Sequence, residues 1–89
     1  MLRRVVGDSM LPVLSDGQVV FGLKLKKPSL NSIVIVKRKD REIIKRVTKM
    51  DGDKLYILGE NLPHSTDSRE FGWITLKDIL ATVIWPTNL

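Results

Sequence analysis

Ile33-Val34-Ile35-Val36-Lys37, a polar break at Lys39-Asp40, and Glu42-Ile43-Ile44-Lys45-Arg46-Val47-Thr48-Lys49 read as a β-hairpin. β-Branched residues dominate both arms, and the break between them carries turn formers. Side chains alternate along a strand, so Lys45 shares a face with Ile43 and Val47 while Ile44, Arg46 and Thr48 take the other. Two readings of such a lysine compete. Its stem can lie along apolar surface with the ammonium in water, or the amine can be desolvated.

The same pattern, short apolar runs broken by turn residues every eight to twelve positions, continues on both sides of the hairpin. Asp51-Gly52-Asp53 makes a second tight turn into a strand over Lys54–Leu58, since Asp-Gly suits positive φ. Toward the N-terminus, strands are expected over Arg3–Val6 and Gln18–Leu23, with a turn at Asp16-Gly17. Leu11–Asp16 between them is irregular or a single helical turn, and Lys26–Asn31 is a polar loop in which Pro28 bars a central strand. Beyond Leu58 the apolar period disappears, so Gly59–Ser68 is expected to be a long surface loop without structure of its own, of the kind that carries function. Thr75–Asp78 makes one helical turn and Leu80–Trp85 the last strand. Eighty-nine residues in this pattern give one small, mainly β domain, residues 1–89.

Composition narrows the function. With 43% hydrophobic and 28% charged residues the chain is an ordinary globular one. It has no cysteine, which excludes disulfides, thiolate metal sites and a cysteine nucleophile. One histidine and no ligand-like spacing leave no metal site, and no cofactor is expected. No run approaches the roughly 18 apolar residues of a membrane helix. The net charge is +5, and seven of the fifteen Lys and Arg residues fall between Lys37 and Lys49. That patch could meet RNA or another anionic surface, the reading of a non-catalytic basic β-module. Asp40 and Glu42 interrupt it, so a solvated hairpin is favoured. Five aromatic residues are too few and too scattered for a base-stacking face. Trp73 and Trp85 are expected in the core or as cleft walls.

Gly7-Asp8-Ser9-Met10-Leu11-Pro12 is the stretch with chemistry in it. Gly7 permits a sharp bend directly after Val5-Val6, Pro12 stiffens the segment after the serine, and Ser9 can present its hydroxyl at a sheet edge. Met10 is expected to pack beneath it as core. A serine hydroxyl needs a base near neutral pH. A lysine serves only if burial lowers its pKa from about 10.4.

This turn, followed in order by Ile44-Lys45-Arg46-Val47, Gly59-Glu60-Asn61 and Ser65-Thr66-Asp67-Ser68-Arg69-Glu70-Phe71-Gly72, resembles the type I signal peptidases, serine proteases with a serine nucleophile and a lysine base. The resemblance runs from Val5 to Ile84-Trp85-Pro86 and implies a coiled antiparallel sheet, the catalytic core shared with LexA-like self-cleaving repressors. It implies that Ser9 attacks the scissile carbonyl, Lys45 is the general base, Ser65 orients the lysine, and the backbone N–H of Ser9 donates to the oxyanion. Asp67 and Arg69 match a structural pair that holds the loop. Gly7 stands where some members have a serine hydroxyl donor, and Glu60 where aspartate is commoner, which puts the geometry of that loop in question.

The substrate implied is a precursor polypeptide whose N-terminal presequence is removed after small residues in an Ala-x-Ala pattern, docked as an extended strand. The membrane helix that usually precedes the serine in signal peptidases is not seen, and Met1 lies close to the turn. A stand-alone, soluble and cytoplasmic member is therefore expected, similar to the maturation proteases of nickel superoxide dismutase, with membrane association if a tether has been removed. The self-cleaving repressors are a lesser fit, because they place a DNA-binding domain and a cleavable linker ahead of the serine. A Ser9-His64-Asp67 triad is the remaining catalytic arrangement that the residue types allow, and the least favoured.

Overall fold

The computed structural model describes all 89 residues, Met1–Leu89. Seven strands form one antiparallel sheet: β1 (Leu2–Arg4), β2 (Val19–Leu23), β3 (Ile33–Arg38), β4 (Arg41–Asp51), β5 (Lys54–Leu58), β6 (Ile74–Thr75) and β7 (Ile79–Trp85), in the spatial order β1-β2-β7-β3-β4-β5-β6. The fold is mainly antiparallel β, with a single four-residue helix, α1 (Ser68–Phe71).

The Ile-Val-Ile-Val run explains why β3 lies near the middle. All four residues are buried, and alternation sends them to two cores. Ile33 and Ile35 join Val5, Met10, Leu14, Val20 and Ala81 on one face. Val34 and Val36 join Val47, Leu55, Ile57 and Ile74 on the other. A strand buried on both faces needs no polar alternation. The sheet is also coiled. Arg3 on β1 forms an ion pair at 2.6 Å with Glu42 on β4, although β2, β7 and β3 lie between those strands in the ladder.

Both hairpins form at the expected turns. Arg38 pairs with Arg41 around Lys39-Asp40, and Asp51 pairs with Lys54 around Gly52, whose φ is 60°. Four expectations are corrected. The first strand ends at Arg4, because Val5 bonds instead to Gln18 and Gly17 and the chain turns away at Gly7, with φ 83°. The stretch Gly59–Ser68 is not structureless: Leu62–His64 makes a 3-10 turn, and α1 begins at Ser68. The Asp67 carboxylate caps α1 by accepting from the Arg69 N–H. Four residues are too few to leave a helical period in the sequence. The last strand starts at Ile79, immediately after a 3-10 turn capped by Thr75 and Asp78.

The fourth correction concerns the tryptophans. Trp73 and Trp85 are 44% and 56% exposed and belong to neither core. Trp73 meets Tyr56 edge-on with ring centroids 5.3 Å apart, and Trp85 lies opposite Phe21 at the end of β7. Neither of them lines the main cleft.

Leu14 is fully buried and anchors the segment after the serine turn, whereas Leu25 is 98% exposed. Leu14→Ala should therefore cost about 2–5 kcal/mol in urea unfolding, and Leu25→Ala less than about 0.5 kcal/mol. Equal effects would contradict this account of the core.

Candidate active site

Ser9 sits in the connection between β1 and β2, held from three sides. Met10, 1% exposed, plugs the first core directly beneath it. Asp16 Oδ1 accepts from the Gly7 N–H at 2.7 Å and fixes the bend. Asn61 reaches across from the β5–α1 connection: its N–H donates to the Ser9 carbonyl at 2.8 Å and its side-chain amide to the Asp8 carbonyl at 3.1 Å. The Ser9 N–H has no acceptor within the chain, so it is available to a bound group.

Lys45 lies on β4 opposite Val34, in the register that directs it away from solvent. It is 4% exposed, and its Nζ lies 2.8 Å from Ser9 Oγ and 3.1 Å from Ser65 Oγ. No carboxylate contacts the amine. Burial pushes the Lys45 pKa below its ordinary value. Asp67 pulls it back upward, and Arg41 and Arg69 push it further down. Desolvation wins because the negative charge of Asp67 is one hydroxyl removed and already occupied.

That occupation can be traced atom by atom. Ser65 Oγ donates to Asp67 Oδ2 at 2.6 Å, the Gly59 N–H donates to the same oxygen at 2.9 Å, and Arg69 Nε donates to Oδ1 at 2.8 Å. Asp67 is completely buried. Burial alone would raise its pKa, but hydrogen bonds from Arg69, Ser65 and the Gly59 N–H outweigh it and hold the carboxyl at about 2. With its proton committed to Asp67, Ser65 offers Lys45 a lone pair.

The resemblance named Ser9, Lys45, Ser65, Asp67 and Arg69, and the fold brings all five into one continuous hydrogen-bonded chain. His64 is exposed on the rim of the cleft and makes no side-chain hydrogen bond with Ser9 or Asp67. Glu60 forms an ion pair with Arg46, which also donates to the Asn31 carbonyl at 2.7 Å. The residue that departs from the aspartate pattern thus ties its loop to β4.

Two contributors went unassigned in the sequence. Asn61 is one. The other is Gly59, where a Cβ would fall 2.6 Å from Ser65 Cβ and 2.7 Å from the Ser9 carbonyl, and closer still to Ser65 Oγ. The tripeptide Gly59-Glu60-Asn61 was the only signal for either.

The seven-cation patch does not form one surface. Lys45 is buried, Arg46 is paired, Arg38 stacks 3.8 Å over the Phe71 ring, and Lys49 lies 5.1 Å from the centroid of Tyr56. Strand alternation splits the cations between faces. A cleft of about 810 Å³ runs past Ser9 and Lys45, bordered by the Gly7–Met10 turn, by His64, Thr66 and Phe71, and by the β3–β4 hairpin.

A family model described as Peptidase S24-like matches residues 1–80, a span that includes every residue of this hydrogen-bonded chain. Among curated proteins, none matches.

The geometry makes two outcomes measurable. Gly59→Ala should separate Ser65 from the Ser9 turn, lowering stability by about 1–3 kcal/mol in urea unfolding; an unchanged midpoint would contradict the packing described. Asp67 has a folded pKa of about 2 against an ordinary 3.8, so its contribution is complete above pH 4 and is lost as pH falls from about 4 to about 2. The difference amounts to about 2 kcal/mol. Asp67→Asn should flatten the fall in Tm over that interval, and an undiminished slope would contradict it.

Proposed function

Because the chain belongs to the Peptidase S24-like family, a group of serine-type peptidases, we propose that it is an endopeptidase with a Ser9/Lys45 dyad, acting in the manner of signal peptidases on the presequence of a precursor polypeptide. The observation that carries this reading is the 2.8 Å contact between Ser9 Oγ and a Lys45 amine that is buried and touches no carboxylate.

With Lys45 neutral, one amine N–H donates to Ser65 and the lone pair faces the Ser9 hydroxyl. The Ser9 proton passes to Nζ as Oγ attacks the scissile carbonyl. Negative charge then develops on the substrate oxygen, within reach of the free Ser9 N–H. Gly7 supplies no side-chain donor, so the main chain bears that task. The ammonium so formed returns its proton to the leaving amine, and water, deprotonated by the same lysine, releases the acyl group from Ser9. Ser65 keeps the amine oriented throughout, since its own O–H stays with Asp67. Asp67 and Arg69 are positioning residues that act through Ser65.

An extended substrate suits the cleft. The N–H and C=O of Val6 have no internal partner, and the side chain is 85% exposed, which leaves one rim free to pair with a peptide strand. A second reading, cleavage of the protein's own polypeptide, rests on the resemblance to the LexA-like self-cleaving repressors. The two differ in kinetic order, because cleavage in cis has a rate independent of protein concentration.

The test is a presequence peptide carrying Ala-x-Ala, with products read by mass spectrometry. Wild type should cut after the second alanine. Ser9→Ala and Lys45→Ala should lose roughly a thousandfold or more, about what removing one member of a catalytic unit costs. Ser65→Ala should lose about ten- to a hundredfold, the value of one hydrogen bond to a charged group. Activity retained in Ser9→Ala or Lys45→Ala would refute the dyad. The rate should rise with pH as Lys45 loses its proton and level off below the ordinary lysine value of about 10.4. A profile still climbing through that value would mean the working base is not desolvated.

A further inference from the structure

The cleft is not chemically uniform along its length. At one end are Ser9 and Lys45; at the other it is lined by Arg38, Lys39 and Arg41 of the β3–β4 hairpin. We propose that this end receives an acidic side chain of the substrate, about four residues from the scissile bond, an inference that rests on the peptidase reading above.

Charge supplies the first argument. Of the anions that line the cleft, Glu42 is held by Arg3 at 2.6 Å, and Asp8 sits beside the serine at the opposite end. Glu70 remains against the three hairpin cations. Lys39 and Arg41 form no ion pair or side-chain hydrogen bond within the chain. Arg38 is fixed by stacking on Phe71, an arrangement that leaves its N–H donors free for a carboxylate. Asp40, at the turn itself, does not line the cleft.

Backbone conformation supplies the second. Lys39 has φ 55°, a left-handed conformation more easily taken by glycine or asparagine. The chain places a long cation at a position where a small turn residue would be less strained, and that cation lines the cleft.

Length sets the position. Lys45 and Arg41 are four residues apart on β4, about 13 Å at roughly 3.3 Å per residue. An extended peptide beside the strand covers that distance in about the same number of residues. An acidic side chain three to five positions from the cut would therefore reach the hairpin cations.

The experiment uses the Ala-x-Ala peptide with Glu, Gln or Lys placed singly at each position two to six residues from the bond, on both sides. At one position three to five residues away, kcat/KM for Glu should exceed that for Gln by about three- to tenfold, and Lys should be poorest, with the change carried by KM. The preference should disappear in the double variant Lys39→Gln/Arg41→Gln and in salt of about 0.5 M. Lys77→Gln, outside the cleft, should retain it. Equal kcat/KM for Glu, Gln and Lys at every position, or a preference untouched by the double variant, overturns the proposal. Anisotropy of the labelled peptides on Ser9→Ala reads the same preference without turnover. Should the wild type cut no peptide, the presequence reading fails, while tighter binding of Glu than Gln peptides still supports the charge inference and equal binding overturns it.

Discussion

The arrangement depends on a lysine amine held out of water with two hydroxyls and no carboxylate for company. An ammonium at that place loses hydration without gaining a direct counter-ion, so the neutral amine is favoured. Everything nearby serves that condition. Asp67 would restore the charge if it touched Lys45, and the structure separates them by Ser65. Arg69, the Gly59 N–H and Ser65 absorb the carboxylate, which remains ionised yet directs its hydrogen-bonding capacity elsewhere. Placing one acid and one base in contrasting environments is how a small site separates their proton affinities.

The sheet makes this placement possible in a short chain. β4 carries Lys45 on the face of the second core, while Met10 anchors the serine turn in the first. The coil that brings β1 beside β4 lets residues 36 positions apart share a hydrogen bond. Two loops then have to approach almost without side chains between them, and Gly59 allows it. Local stability is lost to this geometry. A desolvated lysine contributes less to folding than an apolar residue of its size would, and the loss is greatest below its ordinary pKa, where the unfolded chain binds the proton more tightly. The two β-branched cores supply the compensation.

Much of the sheet was legible because strands and tight turns leave local marks. Val34 and Val36 declared β3 by β-branching, and Asp51-Gly52 set the second turn because positive φ selects glycine. The alternation that put Lys45 with Ile43 and Val47 was also readable. What Lys45 would meet was not, since no local pattern connects positions 9, 45 and 65. Only the order of four short motifs suggested it, through resemblance to the signal peptidases. The matched family is the S24-like peptidases, in the same serine protease superfamily. Helix α1 was missed because its four residues leave no period, so the capping Asp67 had no apolar pattern to mark the start of. Gly59 and Asn61 act through contacts with distant chain, which a tripeptide cannot reveal. The tryptophans misled because size and apolarity favour burial, yet a small sheet with two filled cores leaves large rings at its edges. The basic run reads as a solvated hairpin; alternation along β4 divides its cations between faces, and those at the hairpin end border the cleft.

The most direct test is the titration of Lys45 itself, monitored by NMR at its side-chain Cε and Nζ, with the signal assigned by its absence in Lys45→Met. The account predicts a midpoint clearly below the ordinary lysine value of about 10.4, with the signal responding to removal of Ser65. A midpoint at the ordinary value would mean that the amine is solvated and charged at neutral pH, and the dyad would lose its physical basis.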